Sequence, residues 1–196
     1  MHTHTIENQP APIASGWLKR YYFTRFAFSA AWVFLAFSVA ASVPLLAAIM
    51  LIGYPAWDAF ANFIDARRSG GLDRNRSQLF NIIVSSVTTI AVAVALGSSL
   101  NSVLIVFGIW AGFSGILQLA TAVGRLKTYG AQWAMILSGA QSALAGVAMI
   151  VMAYGPLPVG IVSVAPYAAF GAFYFLVSAI WLTVSDARKG SLRAAS

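Results

Sequence analysis

Three polar side chains share one face of the second predicted membrane helix, and they are the strongest candidates for chemistry. Asp58, Asn62 and Asp65 lie at positions i, i+4 and i+7, which places them on the same helix face. Asp58 precedes Arg67 by nine residues, which is about 13 Å along a helix and therefore near the bilayer midplane. A carboxyl group there could take up a proton and act as a switch or relay. Alternatively, it could hydrogen-bond to neighbouring helices and hold them together.

Further polar side chains are predicted at a similar depth in the other helices, by the same rise per residue. They are Ser85 and Ser86 in the third span, Gln118 in the fourth, Gln141 in the fifth and Ser178 in the sixth. With Asp58 and Asn62 they could form one intramembrane polar or pH-responsive site. Each could instead hydrogen-bond locally to backbone, as serine does readily in helices. The sequence leaves both alternatives open.

The residue types that most catalytic and metal sites need are missing from the predicted membrane region. The chain has no cysteine, and both histidines, His2 and His4, precede the first span. The sequence Gly112-Phe113-Ser114-Gly115 resembles the nucleophile motif of intramembrane serine proteases. That chemistry requires a base to take the serine proton, and no span contains a histidine. We therefore predict no catalytic residue, no metal site, no cofactor and no enzymatic activity.

Glycines in the fourth and fifth spans are better explained by helix packing. Small residues about four positions apart allow two membrane helices to approach closely. The predicted packing residues are Gly108, Gly112 and Gly115 in the fourth span and Gly139 and Gly146 in the fifth.

The composition predicts an all-α, polytopic membrane protein. Apolar residues make up 60% of the chain and charged residues only 9%, whereas soluble domains carry about 25% charged residues. The apolar runs have the length of membrane spans. We predict six transmembrane helices, at about 22–41, 44–66, 79–96, 103–123, 133–153 and a last one that ends near 184. Pro55 is expected to kink the second helix.

The positive charges predict the orientation. The net charge is +7, and the twelve Lys and Arg residues lie in or beside the two tails, the second-to-third loop and the fourth-to-fifth loop. Arg25, just inside the first span, is expected to snorkel to the interface. The positive-inside rule then places both termini in the cytoplasm. Nucleic acid is not an expected partner. Anionic lipid headgroups are expected at Arg67, Arg68, Arg74, Arg76, Arg125 and Lys127.

Basic exits after the second, fourth and sixth spans indicate a repeated unit. Arg67, Arg125 and Arg188 follow one another at similar spacing, and this predicts three tandem helical hairpins. The predicted organisation is a disordered cytoplasmic tail over 1–18, a membrane domain over 19–189 and a cytoplasmic tail over 190–196. The three hairpins are predicted at about 19–68, 76–127 and 131–189. A homo-oligomer is a candidate assembly.

One family is similar to this pattern. The stretch Phe107-Gly108-Ile109-Trp110-Ala111-Gly112-Phe113-Ser114-Gly115-Ile116-Leu117-Gln118-Leu119, followed by Gly130-Ala131-Gln132-Trp133 and Leu137-Ser138-Gly139, resembles the HdeD-type acid-resistance membrane protein family. The resemblance covers about 27–188. It implies a six-span inner-membrane protein linked to acid survival, without catalytic residues. The sequence departs from the family's usual pattern in having Pro55 and Asp58 in the second span.

Two functions from different classes follow from these features. The first is a non-enzymatic, stress-related membrane protein in which Asp58 responds to pH. The alternative is a transporter or channel for a small solute or for protons that uses the intramembrane polar residues as its path.

Overall fold

The computed structural model describes residues 12–125 and 133–194, and this part of the chain contains six α-helices and no β-strand. Two short 3-10 turns, Ala40–Ser42 and Leu72–Arg74, lie in the connections on either side of the second helix. The helices are α1 Pro12–Ser38, α2 Pro44–Arg68, α3 Arg76–Leu96, α4 Leu100–Arg125, α5 Trp133–Ala153 and α6 Ile161–Ala194.

Five of these helices, α2 to α6, are long and apolar enough to cross a membrane. The first helix is not among them. Its amino-terminal half carries Lys19, Arg20 and Arg25 together with two tyrosines, and these residues lower its hydropathy. The prediction of an all-helical, multi-pass protein is therefore confirmed. Of the six predicted spans, five are supported by the length and hydropathy of their helices.

Large apolar side chains point outward along the bundle. Leu45, Val94 and Leu144 are 72%, 72% and 70% exposed. Isolated apolar residues are common on the surface of soluble proteins, but an apolar surface of this extent marks contact with lipid or with another protein. This apolar surface is suited to contact with the lipid of a bilayer.

The helices pack as three antiparallel pairs. The most extensive contacts join α4 to α5, then α1 to α6 and α2 to α3. The predicted hairpins pair α1 with α2, α3 with α4 and α5 with α6; of these only α3 and α4 share a sizeable contact. Instead, α2 packs against α3 and α4 packs against α5. The last helix, α6, packs against the first helix, α1. An ion pair of 2.9 Å between Lys19 Nζ and Asp186 Oδ2 links the beginning of α1 to the end of α6.

The first and last helices extend beyond the predicted membrane domain of 19–189. Residues 12–18, predicted to be disordered, form the beginning of α1, and residues 190–194 continue α6. The remaining predicted tail residues, 1–11 and 195–196, lie outside the described residues, as do Lys127 and the rest of 126–132. Pro55 and Pro166 lie inside α2 and α6, so neither proline ends its helix.

Candidate functional site

A buried ion pair joins α1 to α2. Arg25 Nη2 donates a hydrogen bond to Asp58 Oδ1. The Arg25 residue is only 9% exposed, and the Asp58 side chain is 18% exposed. Two opposite charges in such surroundings are strongly coupled, because removing one leaves the other buried and unpaired.

The second carboxylate oxygen of Asp58 extends this pair to two more helices. Asp58 Oδ2 accepts hydrogen bonds from Ser85 Oγ at 2.7 Å and from Asn62 Nδ2 at 3.1 Å. Ser85 Oγ in turn accepts a hydrogen bond from Trp110 Nε1 at 3.2 Å. We call Arg25, Asp58, Asn62, Ser85 and Trp110 the Arg25–Asp58 network. It connects side chains from α1, α2, α3 and α4.

Aromatic rings cover the charged end of the network. Arg25 Nη1 donates to Tyr21 Oη at 3.0 Å, and the guanidinium carbon lies 4.3 Å from the ring centroid of Phe175 on α6. A cation over an aromatic face gains more from the contact when water is excluded. Phe28 and Trp57 stack at 4.4 Å on the neighbouring turns of α1 and α2. The contacts between α1 and α2 are therefore made by large side chains rather than by close approach of the two backbones.

The structure brings together only part of the polar site that the sequence predicts. Asp58, Asn62 and Ser85 belong to the network, but Gln141 accepts a separate hydrogen bond from Tyr174 Oη at 2.7 Å. No described hydrogen bond joins Gln118 to the network. Of the other predicted partners, Ser86 is exposed and Ser178 is half-buried. The polar residues therefore form at least two separate groups.

Sequence reasoning missed the two residues that complete the network. Arg25 was expected to snorkel to the interface, but it turns inward to Asp58. A usable signal was present, because a basic residue in one span and an acidic residue in the next are the two charges that can neutralise each other inside a bilayer. Trp110 joins the network through its indole N–H, and nothing in the sequence indicates that Ser85 is its partner.

Asp65, the third member of the predicted polar stripe, has a separate environment. It is 9% exposed, and its Oδ2 accepts a hydrogen bond from Gln78 Nε2 at 3.3 Å, while Oδ1 has no hydrogen-bond partner among the described residues. Asp65 is thus a local link between α2 and α3 near the basic connection.

Glycines create the closest helix contact in the structure. A Cβ atom on Gly115 would lie 2.4 Å from Ala143 N and 2.5 Å from Gly139 O, and one on Gly146 would lie 2.5 Å from Gly108 O. A Cβ on Gly108 or Gly139 would also collide with the facing helix, whereas the space beside Gly112 is open. The predicted packing glycines therefore lie where α4 and α5 meet, and Gly112 alone among them has room for a side chain.

The arrangement pairs two opposite charges inside the bundle. Among the described residues, no group of three or more acidic or histidine side chains could hold a metal ion. These features define the class: an all-helical, multi-pass membrane protein with a buried ion pair between helices. Residues 80–151, from α3 into α5, match a family described as a short repeat of unknown function (DUF308). The match covers fewer than half of the 196 residues. Neither the curated proteins nor the solved structures contain a match to this chain.

Proposed function

We propose that this chain is a bacterial inner-membrane protein of the acid-stress response, similar to the HdeD family, and that it acts without catalysing a reaction. The short-repeat match over 80–151 and the apolar helices support a membrane protein of this kind. The observation that carries the proposal is the buried Arg25–Asp58 ion pair. The ion pair exists only while the Asp58 carboxylate is ionised. The proposal therefore requires the stability that this pair contributes to decrease in acid.

Protonation of Asp58 is the proposed response to acid. It would remove the negative charge and leave Arg25 buried without a counter-ion, which weakens the link between α1 and the helices α2 and α3. Stability from the pair is present while Asp58 is ionised and is lost as the pH falls. The phenols near the pair are neutral in acid, because a phenol loses its proton only in base. Tyr21 on α1 accepts a hydrogen bond from Arg25, and the rings of Tyr54 on α2 and Tyr167 on α6 pack against Trp110. The groups from α3 and α4, Ser85 and Trp110, carry no charge.

The orientation with both termini in the cytoplasm belongs to this proposal, together with α1 as a sixth span. The ion pair between Lys19 and Asp186 supports the placement of both termini on one side of the membrane, because this contact holds the beginning of α1 beside the end of α6. Exposed basic residues between the end of α2 and the beginning of α3 are the proposed contacts with anionic lipid headgroups. They are Arg67, Arg68, Arg74 and Arg76.

Acid survival of a strain that lacks the gene tests the function. We expect the wild-type chain to restore survival at low pH, and the double variant R25Q/D58N to reach the membrane in equal amount without restoring it. The double variant is preferred to Asp58→Asn alone, because the single change leaves a buried, unpaired arginine and could fail by misfolding. K19Q is the control, since it also breaks an ion pair but a partly exposed one, and it should restore survival.

Two results would contradict the proposal. If R25Q/D58N restores survival as well as the wild type does, the pair only holds helices together. If deletion of the gene leaves acid survival unchanged, the stress role itself is wrong. Saturable flux of a solute or of protons in liposomes would then favour the transport alternative. The polar groups at Asp58 and Gln141 are separate, so they do not by themselves support a transport path.

A further inference from the structure

A groove of about 440 Å³ lies between α5 and α6. The two helices share few direct contacts. Two of the lining residues, Phe170 and Phe173, are 49% and 57% exposed, so the groove opens on the outer surface of the bundle. The others are Gln141 of α5 and Pro166 and Ala169 of α6. Gln141 is thus the only polar side chain among the residues that line this groove.

The amide nitrogen of Gln141 has no acceptor among the described residues. Its Oε1 accepts a hydrogen bond from Tyr174 Oη at 2.7 Å, but no described hydrogen bond uses the two N–H donors of Nε2. Gln141 is half-buried, and its Nε2 is not one of the enclosed side-chain nitrogens that lack a partner. The unused donors are therefore accessible from the groove.

The depth of Gln141 restricts what can supply the acceptor. Gln141 lies eight residues after Trp133 and twelve before Ala153, the first and last residues of α5, which is about 12 Å and about 18 Å along the helix. Lipid acyl chains at this depth contain no hydrogen-bond acceptor, and an unpaired amide is costly there. Polar side chains of a neighbouring membrane helix are the usual partners of such a group.

The outer face of α5 has the residue pattern of a contact between helices. Leu137, Gln141, Leu144, Ala148 and Val151 follow one another at intervals of four, three, four and three residues, which places them in one stripe. Leu137, Leu144 and Val151 are 54%, 70% and 65% exposed, so the other helices of the chain leave this stripe uncovered. A single polar residue within an apolar stripe of this spacing can fix the register of two parallel helices.

A second copy of the chain is the occupant that this pattern favours. A carboxamide contains both a donor and an acceptor, and Gln141 Oε1 has a second lone pair beside the one that Tyr174 uses. Two Gln141 side chains can therefore satisfy each other. Copies with the same orientation in the membrane are related by a twofold axis along the membrane normal, and this symmetry places each residue of the stripe opposite itself. The groove beside the stripe provides room for large side chains of the second copy.

We propose that the chain forms a parallel homodimer through the exposed stripe of α5, with a reciprocal pair of hydrogen bonds between the two Gln141 carboxamides at its centre. Nε2 of each copy donates to Oε1 of the other. The inference is independent of the proposed acid response, because none of these residues belongs to the Arg25–Asp58 network.

Sedimentation equilibrium of the full chain in density-matched detergent measures the dissociation constant of the dimer. We expect a dimer for the wild type and about tenfold weaker association for Q141L, because two hydrogen bonds of the strength measured between membrane helices together amount to about one tenfold step. Leucine suits a position that faces lipid. Y174F is the matched control, since it removes the hydrogen bond that Gln141 accepts within the chain and keeps the carboxamide. It should associate as the wild type does.

Cross-linking of single cysteines in isolated membranes locates the contact, because the chain contains no cysteine of its own. Leu144 lies about one turn from Gln141 in the stripe, and L144C should be joined to its counterpart in a second copy by a short bismaleimide. I90C is the control. Ile90 is 66% exposed on α3, outside the stripe, so this variant should remain uncross-linked.

Four results would overturn the proposal. A wild-type chain that stays monomeric would exclude the dimer. Association of Q141L as strong as that of the wild type would exclude the Gln141 pair and leave the groove to a lipid chain or a solute. Cross-linking of I90C in preference to L144C would place the contact on another face. If Q141L does not elute as a folded species, L144C still decides, because Gln141 is intact in that variant and the absence of its cross-linked dimer contradicts the proposal.

Discussion

Asp58→Asn is expected to destabilise the protein by about 3–5 kcal/mol, the loss typical of breaking a buried ion pair by removal of one partner. The asparagine can still contact Ser85 and Asn62, so the dominant loss is the counter-charge of Arg25. Thermal unfolding in detergent, followed by size-exclusion chromatography of the heated samples, measures the effect.

The double variant R25Q/D58N separates charge from packing. Replacing both members of a buried ion pair is often close to neutral, so the double variant should recover most of the stability that Asp58→Asn loses. An Asp58→Asn protein as stable as the wild type would mean that the Arg25–Asp58 contact contributes nothing to the fold.

Gly115→Ala should be the most damaging single methyl group that can be added to the α4–α5 contact. The new Cβ would lie 2.4 Å from a backbone nitrogen and 2.5 Å from a backbone oxygen of α5, and neither atom can rotate away. Overpacking in a rigid core costs about 1–3 kcal/mol, occasionally more, and here two helix backbones must separate. The melting temperature in detergent reports this loss.

Gly112→Ala is the matched control for that substitution. It lies one turn away on the same helix, and its Cβ would meet no atom within 4 Å. Alanine also has a higher helix propensity than glycine, so this variant should be at least as stable as the wild type. Equal stability of the two alanine variants would contradict the close approach of α4 and α5.

The helices of this protein could be predicted from the sequence because apolar runs and their boundaries are local properties. Pro44 begins α2, and the fifth span has the predicted bounds Trp133–Ala153. The packing glycines were also visible, since their spacing on one helix face is a local pattern. The positions of the basic residues predict that both tails and the connections after the second and fourth helices lie on one side of the membrane.

The pairing of helices could not be predicted in the same way. Proximity in sequence suggested hairpins of α1 with α2 and of α5 with α6, whereas the facing glycines bring α4 and α5 together. The partner of Asp58 depends on this arrangement. Arg25 is 33 residues away in the chain and meets Asp58 only once α1 and α2 are positioned by the whole bundle. Gln141 is separated from Asp58 for the same reason, because it bonds to Tyr174 on α6.

The central claim is that the Arg25–Asp58 pair weakens in acid, and a double-mutant cycle measured at two pH values tests it most directly. The cycle compares the stability of the wild type, R25Q, D58N and R25Q/D58N at neutral pH and at the lowest pH at which all four proteins remain folded. We expect a large coupling energy between Arg25 and Asp58 at neutral pH and its loss in acid, where protonated Asp58 should behave like asparagine. A coupling energy that is the same at both pH values would contradict the account, because the pair would then be a fixed structural link.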